Sequence, residues 1–117
     1  MVERKIISIL RKFQKTLEVE GIQIDKIILY GSYASGKFHK DSDIDVAVVS
    51  SDFGVDRFEE GARLFQIACK IDPRIEPVPI SLESYQNDTW IPLIYEIKEK
   101  GIELEDSVFS LDNIRFL

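Results

Sequence analysis

The sequence is short of soft metal ligands and redox-active side chains: its 117 residues hold one cysteine, Cys69, and one histidine, His39. A lone cysteine excludes an internal disulfide and points to a reducing compartment. Cys69 closes the apolar stretch Phe65-Gln66-Ile67-Ala68-Cys69, so it is expected to be a buried, unreactive thiol. A single histidine excludes a histidine-dominated zinc site. Positive charge is scarce too, with 15 Lys and Arg against 21 Asp and Glu and a formal net charge of −6. That balance argues against nucleic acid as a direct tight ligand, which would call for a basic face. It leaves room for a nucleotide, because bound metal can bring the missing positive charge. No apolar run approaches the ~18 residues of a membrane helix, and Glu3, Arg4 and Lys5 near the start are unlike a secretory leader. The cytoplasm is the expected location.

What is present reads as an ordinary globular chain, 44% hydrophobic and 31% charged, at a length suited to one domain with its own core. Ile6, Leu10, Phe13 and Leu17 recur at helical spacing and predict a helix over 3–19, closed by Gly21. The short apolar run Lys26-Ile27-Ile28-Leu29-Tyr30 predicts a strand buried on both faces, hence central. A glycine-bearing turn over 31–41, with a helical turn at Tyr33 and Ala34, leads to a second strand over 43–49. A helix over 56–70 is expected to bury Phe58, Ala62, Phe65 and Cys69. The strand expected over 74–80 contains Pro77 and Pro79 and therefore belongs at a sheet edge. A helix over 89–100 tolerates Pro92 only in its first turn. The tail over 108–117, with Val108, Phe109, Leu111, Ile114, Phe116 and Leu117, either docks on the core or meets a partner. The fold class is α/β (α+β), a small mixed sheet with helices mainly on one face. One domain is expected over 1–117, its motif core at about 25–80 and a C-terminal helix and apolar tail at 88–117.

The chemistry concentrates in Gly31-Ser32-Tyr33-Ala34-Ser35-Gly36 and, six residues on, Asp43-Ile44-Asp45. Residues two apart on a strand share a face, with α-carbons about 6.6 Å apart. Two carboxylates at that separation repel by about 2–3 kcal/mol at an effective dielectric constant near 20. Such a pair needs a cation, a shared proton or full hydration. Oxygen ligands suit magnesium or manganese rather than zinc. Gly31-Ser32 directly follows a buried strand, where a missing side chain lets backbone N–H groups approach a phosphate and the serine hydroxyl adds a donor. Alone, the first half reads as an ordinary turn and the second as a polar strand end. Together they set a phosphate cradle beside a cation site.

These segments resemble the signature of the nucleotidyltransferase superfamily typified by DNA polymerase beta, and the size resembles its minimal members. The resemblance covers residues 31–46 by motif and extends by element order to about residue 80. It implies that Gly31 and Ser32 hold nucleotide phosphates and that Asp43 and Asp45 ligate two magnesium ions, with manganese as the substitute. A third acid is implied on a later strand; Glu76 is the candidate, with Asp72 as its rival. The implied reaction moves a nucleoside monophosphate, AMP from ATP or another nucleoside triphosphate, to a hydroxyl acceptor. The implied partner is a separately encoded helical protein of the HEPN type, in a toxin–antitoxin pair. The alternative is a non-catalytic module that neutralises such a partner by contact alone. A homo-oligomer stays open. One departure is Ser35, where relatives commonly carry arginine; Lys37, His39 or Lys40 could supply the lost cation.

Overall fold

Ile6, Leu10, Phe13 and Leu17 form the buried side of helix α1 (Arg4–Val19) in the computed structural model, which describes residues 2–104. Past α1, the Ile22 N–H donates to the Leu17 carbonyl at 3.0 Å and turns the chain at Gly21. Strand β1 (Lys26–Tyr30), the short helix α2 (Ser32–Ser35), strand β2 (Ile44–Ser50), helix α3 (Arg57–Ile71) and strand β3 (Ile75–Ser81) follow in the expected order. Helix α4 (Leu82–Asn87), helix α5 (Pro92–Lys100) and strand β4 (Ile102–Leu104) complete the described residues. The apolar tail expected at 108–117 lies outside the described residues.

The sheet is mixed, in the order β3-β2-β1-β4. β1 runs antiparallel to β2 and β4, while β2 and β3 are parallel and joined through α3. β1 is therefore internal, as its unbroken apolar run requires. β3 is an edge, where Pro77 and Pro79 alternate with the residues that face the neighbouring strand and offer no N–H to an incoming chain. Strand alternation makes two cores. Ile27, Leu29, Val46, Val48 and Ile75 pack beneath α1 and α3, and Ile28, Ala47, Val49 and Ile80 pack beneath α5. The two long helices thus share one face, and the shorter α4 and α5 serve the other.

Three local expectations change. α3 buries Leu64, Ile67 and Ala68, not Phe58, Ala62, Phe65 and Cys69. Phe58 is 87% exposed and Phe65 50%, and Cys69 is an exposed thiol rather than a buried one. The helix carries two apolar stripes, and the one with small residues faces inward. Gly61 lies against Pro79 of β3, where an added Cβ would stand 3.9 Å from the proline ring, and Ala68 likewise lets the helix settle on the sheet. The segment expected as one helix over 89–100 begins only at Pro92, which takes the first helical turn. α4 forms ahead of it, capped by the Ser81 hydroxyl accepting from the Ser84 N–H at 3.1 Å. β4 is too short to announce itself by periodicity.

Candidate active site

Tyr30, Asp45 and Glu76 stand side by side on three adjacent strands, Tyr30 opposite Asp45 and Asp45 opposite Glu76. All three share the parity of Ile28, Ala47, Val49 and Ile80, so they face the α5 side. Asp43 precedes Asp45 by two residues and is exposed. Glu76 is exposed as well, whereas Asp45 is half-buried between them. The row closes the apolar sheet at the end where β1 finishes and where β2 and β3 begin.

Gly31 abuts this row. Its φ of +74° lies in the left-handed region that favours glycine. A Cβ built on it would stand 2.3 Å from Asp45 Oδ2 and 3.1 Å from Asp45 Cγ. No side chain fits there while Asp45 keeps its place. The Gly31 carbonyl accepts from the N–H groups of Ala34 and Ser35, at 3.1 and 3.0 Å, which winds α2 directly off the strand. Ser32 occupies the first position of that helix. Tyr33 is buried and stacks on Phe38, ring centroids 4.5 Å apart. Further on, the His39 N–H donates to the Ser42 hydroxyl and the Ser42 N–H donates back to the His39 carbonyl, both at 2.9 Å. Ser35, Lys37, His39 and Lys40 are all exposed on this loop.

Asp72 and Glu76, rivals in the sequence, have separate situations. Asp72 is committed to Arg74, whose Nε and Nη2 reach its two oxygens at 3.1 and 2.9 Å. The side-chain hydrogen bonds from Arg74 hold the Asp72 carboxyl below the usual range despite partial burial. Glu76 lies beside Asp45 instead. The remaining Arg74 nitrogen, Nη1, donates to the Tyr33 hydroxyl at 3.2 Å and the Lys40 carbonyl at 3.3 Å.

The row is strained by its own charge. Burial, followed by repulsion from Asp43, Glu76 and Glu96, pushes Asp45 above the ordinary carboxylate range. Burial, with the charges of Asp45, Glu96 and Glu76, pushes the Tyr30 phenol up to about 12. Such a set fits a hard divalent cation, which would relieve both. Among the described residues, no three His, Cys, Asp or Glu side chains are grouped closely enough to hold a metal on their own. Asp43, Asp45 and Glu76 thus lie along one row without forming a closed three-ligand group, and an ion held there would need water or phosphate oxygens to complete its shell. The site is an open strand-end surface. A separate cleft, lined by Arg57, Ser81, Ser84 and Ile91 among others, lies at the far end of β3.

Arg74, Tyr30 and Glu96 escape a motif reading. Tyr30 precedes the glycine directly and alternation alone would align it with Asp45, but Glu96 reaches the row only through the placement of α5.

Residues 4–107 match the family model described as Polymerase beta, Nucleotidyltransferase, and the chain belongs to this family. A Methanocaldococcus jannaschii protein, provisionally named protein adenylyltransferase MJ0141, is 27% identical over 101 residues, spanning 86% of this chain and 99% of its own. A Sulfolobus solfataricus structure provisionally described as a nucleotidyltransferase superposes with a TM-score of 0.60 at 12% identity, covering 85% of this chain and 78% of that one. A toxin–antitoxin structure with AMP-PNP gives a TM-score of 0.55 at 24% identity, covering 94% and 85%. Both structural likenesses speak for a shared fold. No helix among the described residues is long and apolar enough to cross a membrane.

Proposed function

We propose that this chain moves AMP from ATP to a hydroxyl group on a partner protein, with Asp43, Asp45 and Glu76 gathering magnesium ions and Gly31-Ser32 receiving the triphosphate. The observation that carries this reading is the contact between the two halves of the motif, the Asp45 carboxylate against Gly31. Phosphates seated on that turn would lie next to carboxylates, which is favourable only with cations between them. The adenylyltransferase designation of the M. jannaschii relative supports AMP as the group moved and protein as the acceptor. The toxin–antitoxin neighbour with AMP-PNP supports an adenine nucleotide and a separate partner. A HEPN-type helical partner follows from the family resemblance.

In the reaction, the acceptor oxygen forms a bond to the α-phosphorus while the bridging α–β oxygen bond breaks, and pyrophosphate leaves with the electron pair. Two magnesium ions, with manganese as the substitute, would lower the pKa of the acceptor hydroxyl and draw charge from the triphosphate. Gly31 keeps the turn free of a side chain, so that backbone meets phosphate, and Ser32 adds a hydroxyl donor. Asp45, backed by an apolar strand, has little freedom to swing away from the row. Glu76, exposed beside it, would help to accept the proton of the acceptor hydroxyl. The exposed Phe58 and Phe65 on α3 favour a protein contact, and a module that only masks its partner is the second reading.

The test is transfer from α-phosphate-labelled ATP. Wild type should place label on protein in the presence of magnesium. Asp43→Asn, Asp45→Asn and Gly31→Ala should each lose on the order of a hundredfold or more. Equal labelling by the aspartate variants would end the metal assignment, and label on nucleic acid instead would overturn the acceptor. Magnesium-independent ATP binding, or none, would favour the masking module.

A further inference from the structure

We infer that Arg74 is a positioning residue that locks the phosphate turn against the acidic row, acting through the shape of its guanidinium rather than its charge. The inference rests on the site reading above and deepens it. Asp72 already neutralises the guanidinium through the two contacts from Nε and Nη2, at 3.1 and 2.9 Å. The Arg74 N–H donates to Asp72 Oδ1 as well, at 2.9 Å. Asp72 thereby aims the fork, and the free corner of the fork points at the loop that joins Gly31 to Asp43.

That corner holds the loop at two places. Nη1 donates to the hydroxyl of Tyr33, the neighbour of Ser32, and to the carbonyl of Lys40, three residues before Asp43. Between these anchors Phe38 stacks on the Tyr33 ring, and Tyr33 itself is 4% exposed. The backbone of Arg74 reaches the other side of the site, because its carbonyl accepts from the N–H of Ile44 at 2.8 Å. Ile44 separates Asp43 from Asp45, and Glu76 stands two residues beyond Arg74 on β3. Every segment that contributes a site residue is therefore tied to Arg74 or to a residue next to its contacts. A lysine could keep the ion pair with Asp72, but one ammonium cannot present the flat fork that reaches three partners together.

The experiment measures amide hydrogen exchange on the nucleotide-free protein and then the KM for ATP with magnesium, in wild type, Arg74→Lys and Tyr33→Phe. Tyr33→Phe keeps the ring stack and removes the hydroxyl, which also donates to the His39 carbonyl at 3.5 Å. The link to Arg74 is therefore read from the effect it shares with Arg74→Lys, which leaves that second bond in place. Amides over 31–43 should exchange about fivefold to tenfold faster in both variants, the scale of one or two lost hydrogen bonds, while α1 amides keep their wild-type rates. The KM for ATP should rise by a similar factor, and more than kcat falls. Unchanged exchange over 31–43, or faster exchange spread evenly through α1 and the sheet, overturns the inference. Because exchange is read without nucleotide, a wild type unable to transfer AMP would sink the functional reading and leave the result on Arg74 intact.

Discussion

On the proposed reading, Asp45 concentrates the conflict between folding and function in one side chain. It sits half-buried in a row with Asp43 and Glu76, with Glu96 nearby, and burial with these charges raises its pKa. A raised carboxyl pKa means that the folded chain holds the proton more tightly than the unfolded chain does. Stability therefore falls as pH rises from the ordinary value of 3.8 through the raised one. Above that window the metal-free protein carries the full penalty. Asp45→Asn removes the charge while keeping the shape, so the metal-free variant should melt a few degrees higher than wild type at pH 7. The gap should close as the pH is lowered toward 3.8. Thermal melts in chelator across that range provide the check, and a variant that melts lower at every pH would show that the row is not self-repelling. The same substitution is expected to abolish transfer, so stability and activity should move in opposite directions.

At the scale of elements, α3 separates what a pattern can tell from what packing decides. Its position and length were legible in the sequence, since apolar residues at helical spacing predict a helix over 56–70, where α3 lies. The structure adds its cap, Asp56, which accepts from the Glu59 N–H at 3.1 Å. The buried side was not legible, because Phe58, Phe65 and Cys69 make as good a stripe as Leu64, Ile67 and Ala68. The choice is made by close approach to β3, at Gly61 and Pro79, a contact between segments that periodicity cannot see. Leu64, 0% exposed, should lose about 2–5 kcal/mol on truncation to alanine. Phe58→Ala, on the outer face, should stay within about 0.5 kcal/mol. Urea titration of the two variants measures this directly, and a costly Phe58→Ala would mean that this face is covered. Elsewhere the elements followed their signals, with β1 central and β3 at the edge. The misses, α4 and β4, are six and three residues long, too short for any period to register.

At the scale of the whole molecule, the Gly31-Ser32 turn and the acidic row could be joined from sequence only by assuming that they lie at neighbouring strand ends. The antiparallel register of β1 and β2 brings them there, with Tyr30 opposite Asp45 and Gly31 the next residue along. Arg74 could not be read in this way, because its contacts cross from the residue before β3 to a loop 34 residues earlier. The arrangement also dictates how ligands should interact. On the proposed reading, a chain of net charge −6 with Gly31 against carboxylates should repel a triphosphate until cations are present. Cations in turn would gain only a partial shell from the protein until phosphate oxygens complete it. Each ligand should therefore raise the affinity for the other by the same factor, as linkage requires. Magnesium alone and ATP alone should each raise the melting temperature slightly. Together, at about a hundred times the joint dissociation constant, they should stabilise by about 2.7 kcal/mol, or very roughly 10–20 °C in a domain of this size. Asp45→Asn should keep the small separate shifts and lose the excess. Shifts that merely add in wild type would mean that the turn and the row bind independently, and the contact between Gly31 and Asp45 would then have no role in joining metal to nucleotide.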